Sequence, residues 1–202
     1  MADITRFGIK EVADVRFYDV PDLASGVAET AAAIYAGIKG KEPVIEFDTL
    51  KVSNIESTAE SSDARGGKGN AALISWDYGR EVTVTIEDAL MSMECLSLLF
   101  GDKTKDAITI NANKFPGTYT VVGKTFARYE KDGKDRLFTF IIPKAKIQSE
   151  TTLTMEAEGD PSVIGMTLKV LRCKNGDMME LMMDSTEYKE EDGMWKVENP
   201  TT

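Results

Sequence analysis

Residues 51–101, KVSNIESTAESSDARGGKGNAALISWDYGREVTVTIEDALMSMECLSLLFG, decide how this chain folds. Val82, Val84 and Ile86 alternate with Thr83, Thr85 and Glu87, the period of a half-buried antiparallel strand. A helix is expected directly after it, over about 88–100. Glu87 and Asp88 sit where carboxylates favour a helix N-terminus, Ala89, Met93, Leu96 and Phe100 recur on one face, and Gly101 supplies the stop. That face is expected to pack on the sheet. Upstream, Val44, Ile45, Phe47, Leu50, Val52 and Ile55 suggest one or two strands. Between the two regions lies 57–70, with almost nothing to bury: Ser57, Glu60, Ser61, Ser62, Asp63 and Arg65, then Gly66, Gly67, Lys68, Gly69 and Asn70. Such a polar loop is longer than most hairpin connections, so it is expected to be mobile alone and held by neighbours.

Outward from this stretch nearly everything reads as strand. Phe7 to Lys10 and Val12 to Val20 alternate, and Pro21 ends the second run. The alanine-rich segment 22–38 has helix propensity opposed by two interior glycines, so helix and strand both stay open there. Downstream, strands are expected over 107–110, 118–129, 137–147, 152–158, 163–173 and 178–183, separated by turn signals such as Lys131-Asp132-Gly133 and Lys174-Asn175-Gly176-Asp177. The fold class is therefore mainly β: an antiparallel β-sandwich or barrel with one flanking α-helix and extended loops or arms. A single domain over 1–202 is expected, with the polar loop 57–70 and a mobile acidic tail over 187–202 that carries Trp195.

Charge narrows the partners. Against 24 Lys and Arg stand 34 Asp and Glu, a net charge of −10, which disfavours a grip on nucleic acid because phosphate affinity rests on cations. The same charge suits a surface past which DNA slides without sticking. No run approaches the ~20 apolar residues of a membrane span, and the start lacks a basic region followed by an apolar one, so a chain that stays soluble where it is made is expected. Two cysteines, Cys95 and Cys173, without any histidine form neither a disulfide framework nor a zinc site, and both are expected as small buried thiols.

No catalytic, cofactor or metal site emerges. Gly66-Gly67-Lys68-Gly69 invites a phosphate-loop reading, but the residue after the lysine is Gly69, not Ser or Thr, and no helix begins there. Glu156 with Glu158, or Asp77 with Glu87, could be proposed as carboxylate pairs, yet a solvated acidic face has the same spacing. Glu190-Glu191-Asp192-Gly193 lacks the alternating oxygens of a calcium loop. Met178, Met179, Met182 and Met183 crowd around Leu181 more densely than one strand face hides, so some are expected to cover a neighbouring subunit.

Phe47-Asp48-Thr49-Leu50-Lys51-Val52-Ser53-Asn54-Ile55-Glu56, Ala64 to Asn70, Trp76-Asp77-Tyr78-Gly79-Arg80 and Thr85-Ile86-Glu87-Asp88-Ala89-Leu90 resemble the virion structural proteins of tailed bacteriophages, most nearly the tail tube proteins. Ile141-Ile142-Pro143-Lys144-Ala145 and Glu158-Gly159-Asp160-Pro161 fit the same resemblance, which spans about 44–172. It implies a non-enzymatic subunit closing into hexameric rings that stack into a tube carrying DNA and the tape measure protein. Arg65 to Asn70 would then form a subunit-interface loop, and Glu156 and Glu158 are the candidates for an acidic lumen. A baseplate, collar or capsid-decorating component is the neighbouring reading, and a carbohydrate-binding β-sandwich module the more distant one.

Overall fold

A computed structural model describes residues 6–9, 14–90, 92–102, 107–148, 164–185, 187–189 and 195. The elements in chain order are β1 (Phe7–Ile9), β2 (Asp14–Asp19), α1 (Ala31–Ile38), β3 (Ile45–Phe47), β4 (Leu50–Gly66), β5 (Ala71–Asp88), α2 (Met93–Phe100), β6 (Thr118–Tyr129), β7 (Asp135–Ile147), β8 (Ile164–Val170) and β9 (Glu180–Met183). Among the described residues, nine strands form one sheet in the order β3-β2-β6-β7-β8-β5-β4, with β1 also paired to β6 and β9 to β7. Every ladder is antiparallel.

The connectivity forces this sheet to curl. Laid flat, its outermost strands β3 and β4 would stand roughly 29 Å apart at about 4.8 Å per neighbour. Yet they are consecutive in the chain, Phe47 and Leu50 being linked through Asp48 and Thr49, a reach of at most about 11 Å. The edges must therefore approach each other, which rolls the sheet toward a barrel. Thr49 Oγ1 donates to the buried carboxylate Asp88 Oδ1 at 2.5 Å, and the Ala89 amide donates to the Thr49 carbonyl at 3.1 Å, fastening the link to the end of β5.

Alternate residues fill the interior: Val15 and Phe17, Ile45 and Phe47, Val82, Val84 and Ile86, Met166, Leu168 and Val170 form one cluster with Cys95, Leu98 and Leu99 of α2. On β7 the parity changes, Phe140 and Ile142 facing this cluster before Pro143, and Ala145 and Ile147 after it. A register shift opposite Tyr119 and Val121 places one extra β7 residue there, so both halves face inward. Proline, lacking an N–H, suits that position, and Thr120 Oγ1 donates to its carbonyl at 2.9 Å. Gly123 lies opposite Phe140 in the register, and a Cβ on it would come within 2.1 Å of the ring.

Among the described residues, two short helices accompany the sheet. The segment left open over 22–38 forms α1, capped by the Thr30 hydroxyl, which accepts from Ala33 N–H, and by Asp177 Oδ2, which accepts from Ala31 N–H at 3.1 Å. The second helix starts later than expected, at Met93. β5 continues through Asp88, and Ser92 is the N-cap, its hydroxyl accepting from Cys95 N–H. The later start rotates the buried face to Cys95, Leu98 and Leu99; Met93 is exposed, and Leu96 and Phe100 are only partly buried.

The expected polar loop over 57–70 is strand as far as Gly66, and only 67–70 turns. Its serines and threonines form a ladder with β5, which needs backbone pairing rather than an apolar core. The strand expected over 152–158 lies outside the described residues. Within the tail over 187–202, Tyr188 N–H donates to Asp135 C=O at 2.9 Å, its ring lies 4.6 Å from that of Phe126, and Trp195 packs beside α1. Both cysteines are buried free thiols, and burial pushes the Cys95 thiol up to about 12.

Gly123→Ala should lower stability by about 1–3 kcal/mol, because the Phe140 ring is enclosed and cannot yield; thermal melting checks this. Cys95 should resist iodoacetamide at pH 8 in the native protein and react once it is denatured.

Candidate assembly surface

β4 and β5 are far longer than the other strands, and only part of each belongs to the barrel. β8 pairs with β5 from Thr83 to Asp88 alone, whereas β4 follows β5 from Leu50 opposite Asp88 to Gly66 opposite Ala71. Among the described residues, beyond Val82 the two strands therefore pair only with each other. They form a ribbon projecting roughly 30 Å at about 3.3 Å per residue, with residues 71–81 of β5 exposed throughout. A two-stranded ribbon with no third layer is marginal in water, so this one gains from being covered.

Its side chains are not those of a solvated arm. Ile74, Trp76 and Tyr78 stand on one face opposite Ala64, Ser62 and Glu60, and Trp76 is 54% exposed. Leu73 occupies a register shift beside them and is 68% exposed. The face is set by a bulge at the root of the arm, where Glu60 and Thr58 oppose Tyr78 and Glu81, giving β5 one extra residue. Gly79 sits in that bulge with φ 61°, and the extra residue aligns Tyr78 with Glu81 and away from the buried Val82. Without it, the apolar face of the arm would continue the interior face of the barrel.

At the tip, Arg65 and Gly66 end β4, Gly67 (φ 76°), Lys68, Gly69 (φ 94°) and Asn70 (φ 51°) make the turn, and the Asn70 amide donates to the Gly67 carbonyl at 3.2 Å. The Arg65 guanidinium is held by Asp63 at 2.7 Å. The six residues Arg65 to Asn70 are thus brought together as the end of a hairpin, and no helix follows them to complete a phosphate cradle. Glu156 and Glu158 lie outside the described residues. Sequence reasoning missed Ile74, Trp76 and Tyr78 as a set; their period-two spacing was the available signal, obscured by the adjoining polar run. The outer edge of β4 is a second feature of this surface, since no ladder covers it among the described residues. It carries neither proline nor bulky shielding along the arm, which leaves it competent to pair with another strand.

Among the described residues, no group of His, Cys, Asp and Glu could hold a metal ion, and no helix is long and apolar enough to cross a membrane. The sequence pattern of the YomU/Tube protein family matches residues 25–106 and 101–181, which takes in the whole arm, both helices and most of the barrel. The chain belongs to the YomU/Tube protein family. Membership makes it a phage tail-related structural protein. No curated protein matches the chain. Among solved structures it is similar to a chain in the cryo-EM structure of the anti-feeding prophage (AFP) baseplate, 6-fold symmetrised, with 14% identity, a TM-score of 0.47, and coverage of 87% of this chain and 95% of that one.

If the apolar face of the arm is borne by the ladder alone, Trp76→Ser with Tyr78→Ser should leave the melting transition of the isolated subunit within about 0.5 kcal/mol of the parent, since neither side chain has a core to leave. Calorimetry on the subunit checks this. A larger loss would mean that the arm folds against the barrel.

Proposed function

We propose that this YomU/Tube family chain is a tail tube subunit, closing with copies of itself into hexameric rings that stack into a conduit for DNA and the tape measure protein. The observation that carries the reading is the projecting β4–β5 arm, with Ile74, Trp76 and Tyr78 exposed on one face. A monomer gains nothing from this ribbon. In a ring or stack the apolar face is covered by a neighbour, and the outer edge of β4 joins sheets between subunits, removing the hazard of a long unpaired edge. Self-assembly also accounts for an arm anchored firmly at one end, because Val82, Val84 and Ile86 hold its base in the core.

Electron microscopy of the purified protein tests the proposal directly. Tubes are expected; isolated rings that never stack would fit a baseplate or collar component, and a protein that stays monomeric at high concentration would overturn the reading. Amides of the arm should exchange within seconds in the subunit and be protected in the assembly, while those of Val84 and Ile86 are protected in both. Equal protection of the arm in the two states would count against its being an interface.

The charge of −10 suits a lumen that DNA must cross without binding. Glu156 and Glu158 remain the proposed lining, and the virion the proposed location after synthesis in the host cytoplasm. Glu156→Lys with Glu158→Lys should leave the fold intact and give assembled tubes an affinity for DNA that falls steeply with salt. Filter binding across a salt series checks this, and no gain in DNA binding would remove these two residues from the lumen.

A further inference from the structure

The apolar face of the arm is bounded by two irregularities, and both add a residue to β5. At the root Thr58 faces Glu81 while Glu60 faces Tyr78; near the tip Ala64 faces Ile74 while Arg65 faces Ala72. Strand facing has a period of two, so each shift reverses the side on which the even-numbered residues of β5 stand. Val82, Val84 and Ile86 point into the barrel, Tyr78, Trp76 and Ile74 point to the side of Glu81 and Thr83, and Ala72 points back again. The window turned outward is therefore the one that holds Ile74, Trp76 and Tyr78.

Among the described residues nothing calls for the break at the root. β8 pairs with β5 only from Thr83, and residues 71–81 are exposed throughout, so an unbroken ladder would satisfy the backbone as well. Gly79 suits the bulge through its backbone, with φ 61°, and not through crowding: a Cβ there would meet nothing nearer than the Glu60 side chain at 4.0 Å. An unbroken ladder of the same residues would carry Trp76 and Tyr78 to the side of Val82, as a continuation of the interior face. What the bulge changes is the side. The side it selects continues the outer wall, where Glu81 pairs with Lys169 of β8 at 3.1 Å.

We propose, on the reading that copies of this chain meet at the arm, that the neighbouring copy covers the arm from the outer-wall side and that the Gly79 bulge specifies that side. The contact starts on Ile74, Trp76 and Tyr78 and runs onto Thr58, Glu81 and Lys169, which share their face. Gly79 is a positioning residue: it sets the facing of the aromatic side chains and adds nothing to the barrel core.

Two changes of length regularise the ladder with opposite effects on facing. Deletion of Gly79 leaves Tyr78 opposite Glu60 and on the Glu81 side, whereas one serine inserted between Ala59 and Glu60 gives Gly79 a partner and turns the arm over. Both chains should keep the parent's circular dichroism and melting temperature, because the ladder from Val82 into the barrel is untouched. The deletion should assemble like the parent. The insertion should need on the order of a hundredfold more protein, since a few aromatic anchors carry most of the energy of an interface. Ser75→Trp, Trp76→Ser, Asp77→Tyr and Tyr78→Asp, made together, move both rings to the opposite side; they should block assembly in the parent and restore it in the inserted chain. A purely structural role for the bulge would make that combination worse than either change alone. Sedimentation and electron microscopy read the outcome. An inserted chain that assembles like the parent, a folded deletion that does not assemble, or a combination that stays monomeric overturns the assignment of the side while the parent's own assembly still stands. A parent that never assembles overturns both. If the inserted chain does not fold, the four substitutions in the parent decide, because they leave the ladder unchanged: assembly equal to the parent's overturns the assignment.

Discussion

Val82, Val84 and Ile86 lie under β4 on one side and β8 on the other, and the rest of the molecule depends on their burial. These three residues fix the last third of β5 in the barrel wall. Because a strand is stiff over a few residues, holding that third also aims the rest. The arm is therefore a cantilever whose base is apolar core and whose free length is backbone ladder alone. Separating body from arm on one pair of strands leaves the barrel with its own core and the arm exposed.

Closure of the barrel follows from the same pair. β4 starts three residues after β3 ends, so the strand that enters the arm is also the strand that brings the two edges of the sheet together. The hydrogen bond from Thr49 to the buried Asp88 carboxylate ties that link to the far end of β5, and α2, capped by Ser92 and stopped by left-handed Gly101, lays Cys95, Leu98 and Leu99 on the interior. Small departures from regularity set the facing of large regions. The extra residue at Pro143 keeps both ends of β7 pointing inward, and the one at Gly79 turns Ile74, Trp76 and Tyr78 outward. Each works because strand facing has a period of two, so one inserted residue reverses everything beyond it.

The outer face is organised by polar contacts instead. Asp177 reaches across the chain to the first turn of α1, and Lys144 pairs with Glu29 at 2.5 Å just ahead of it. These hold the helix over Tyr18, Val122 and Ile141, and so build one wall of the socket that Trp195 occupies. The family membership and the exposed arm are the two findings on which the proposed assembly rests.

The alternation of Val82 to Ile86, the mainly β composition and the helix before Gly101 were legible in the sequence, because each is a local pattern with a local cause. The arm was not, since Ser57 to Gly66 holds no apolar residue larger than Ala59 and Ala64 to mark it, and a ladder of backbone hydrogen bonds leaves no trace in hydropathy. The first turn of α2 was misplaced for a related reason: carboxylates at Glu87 and Asp88 suit a helix start, but Asp88 is held by Thr49, a residue of a distant strand link. Nor could sequence choose the faces of β5 and β7, because a single bulge reverses the count. Sequence thus determined what each segment could become; only the tertiary structure decided where each face points, because bulges, edge pairing and the seat of Trp195 depend on partners far away in the chain.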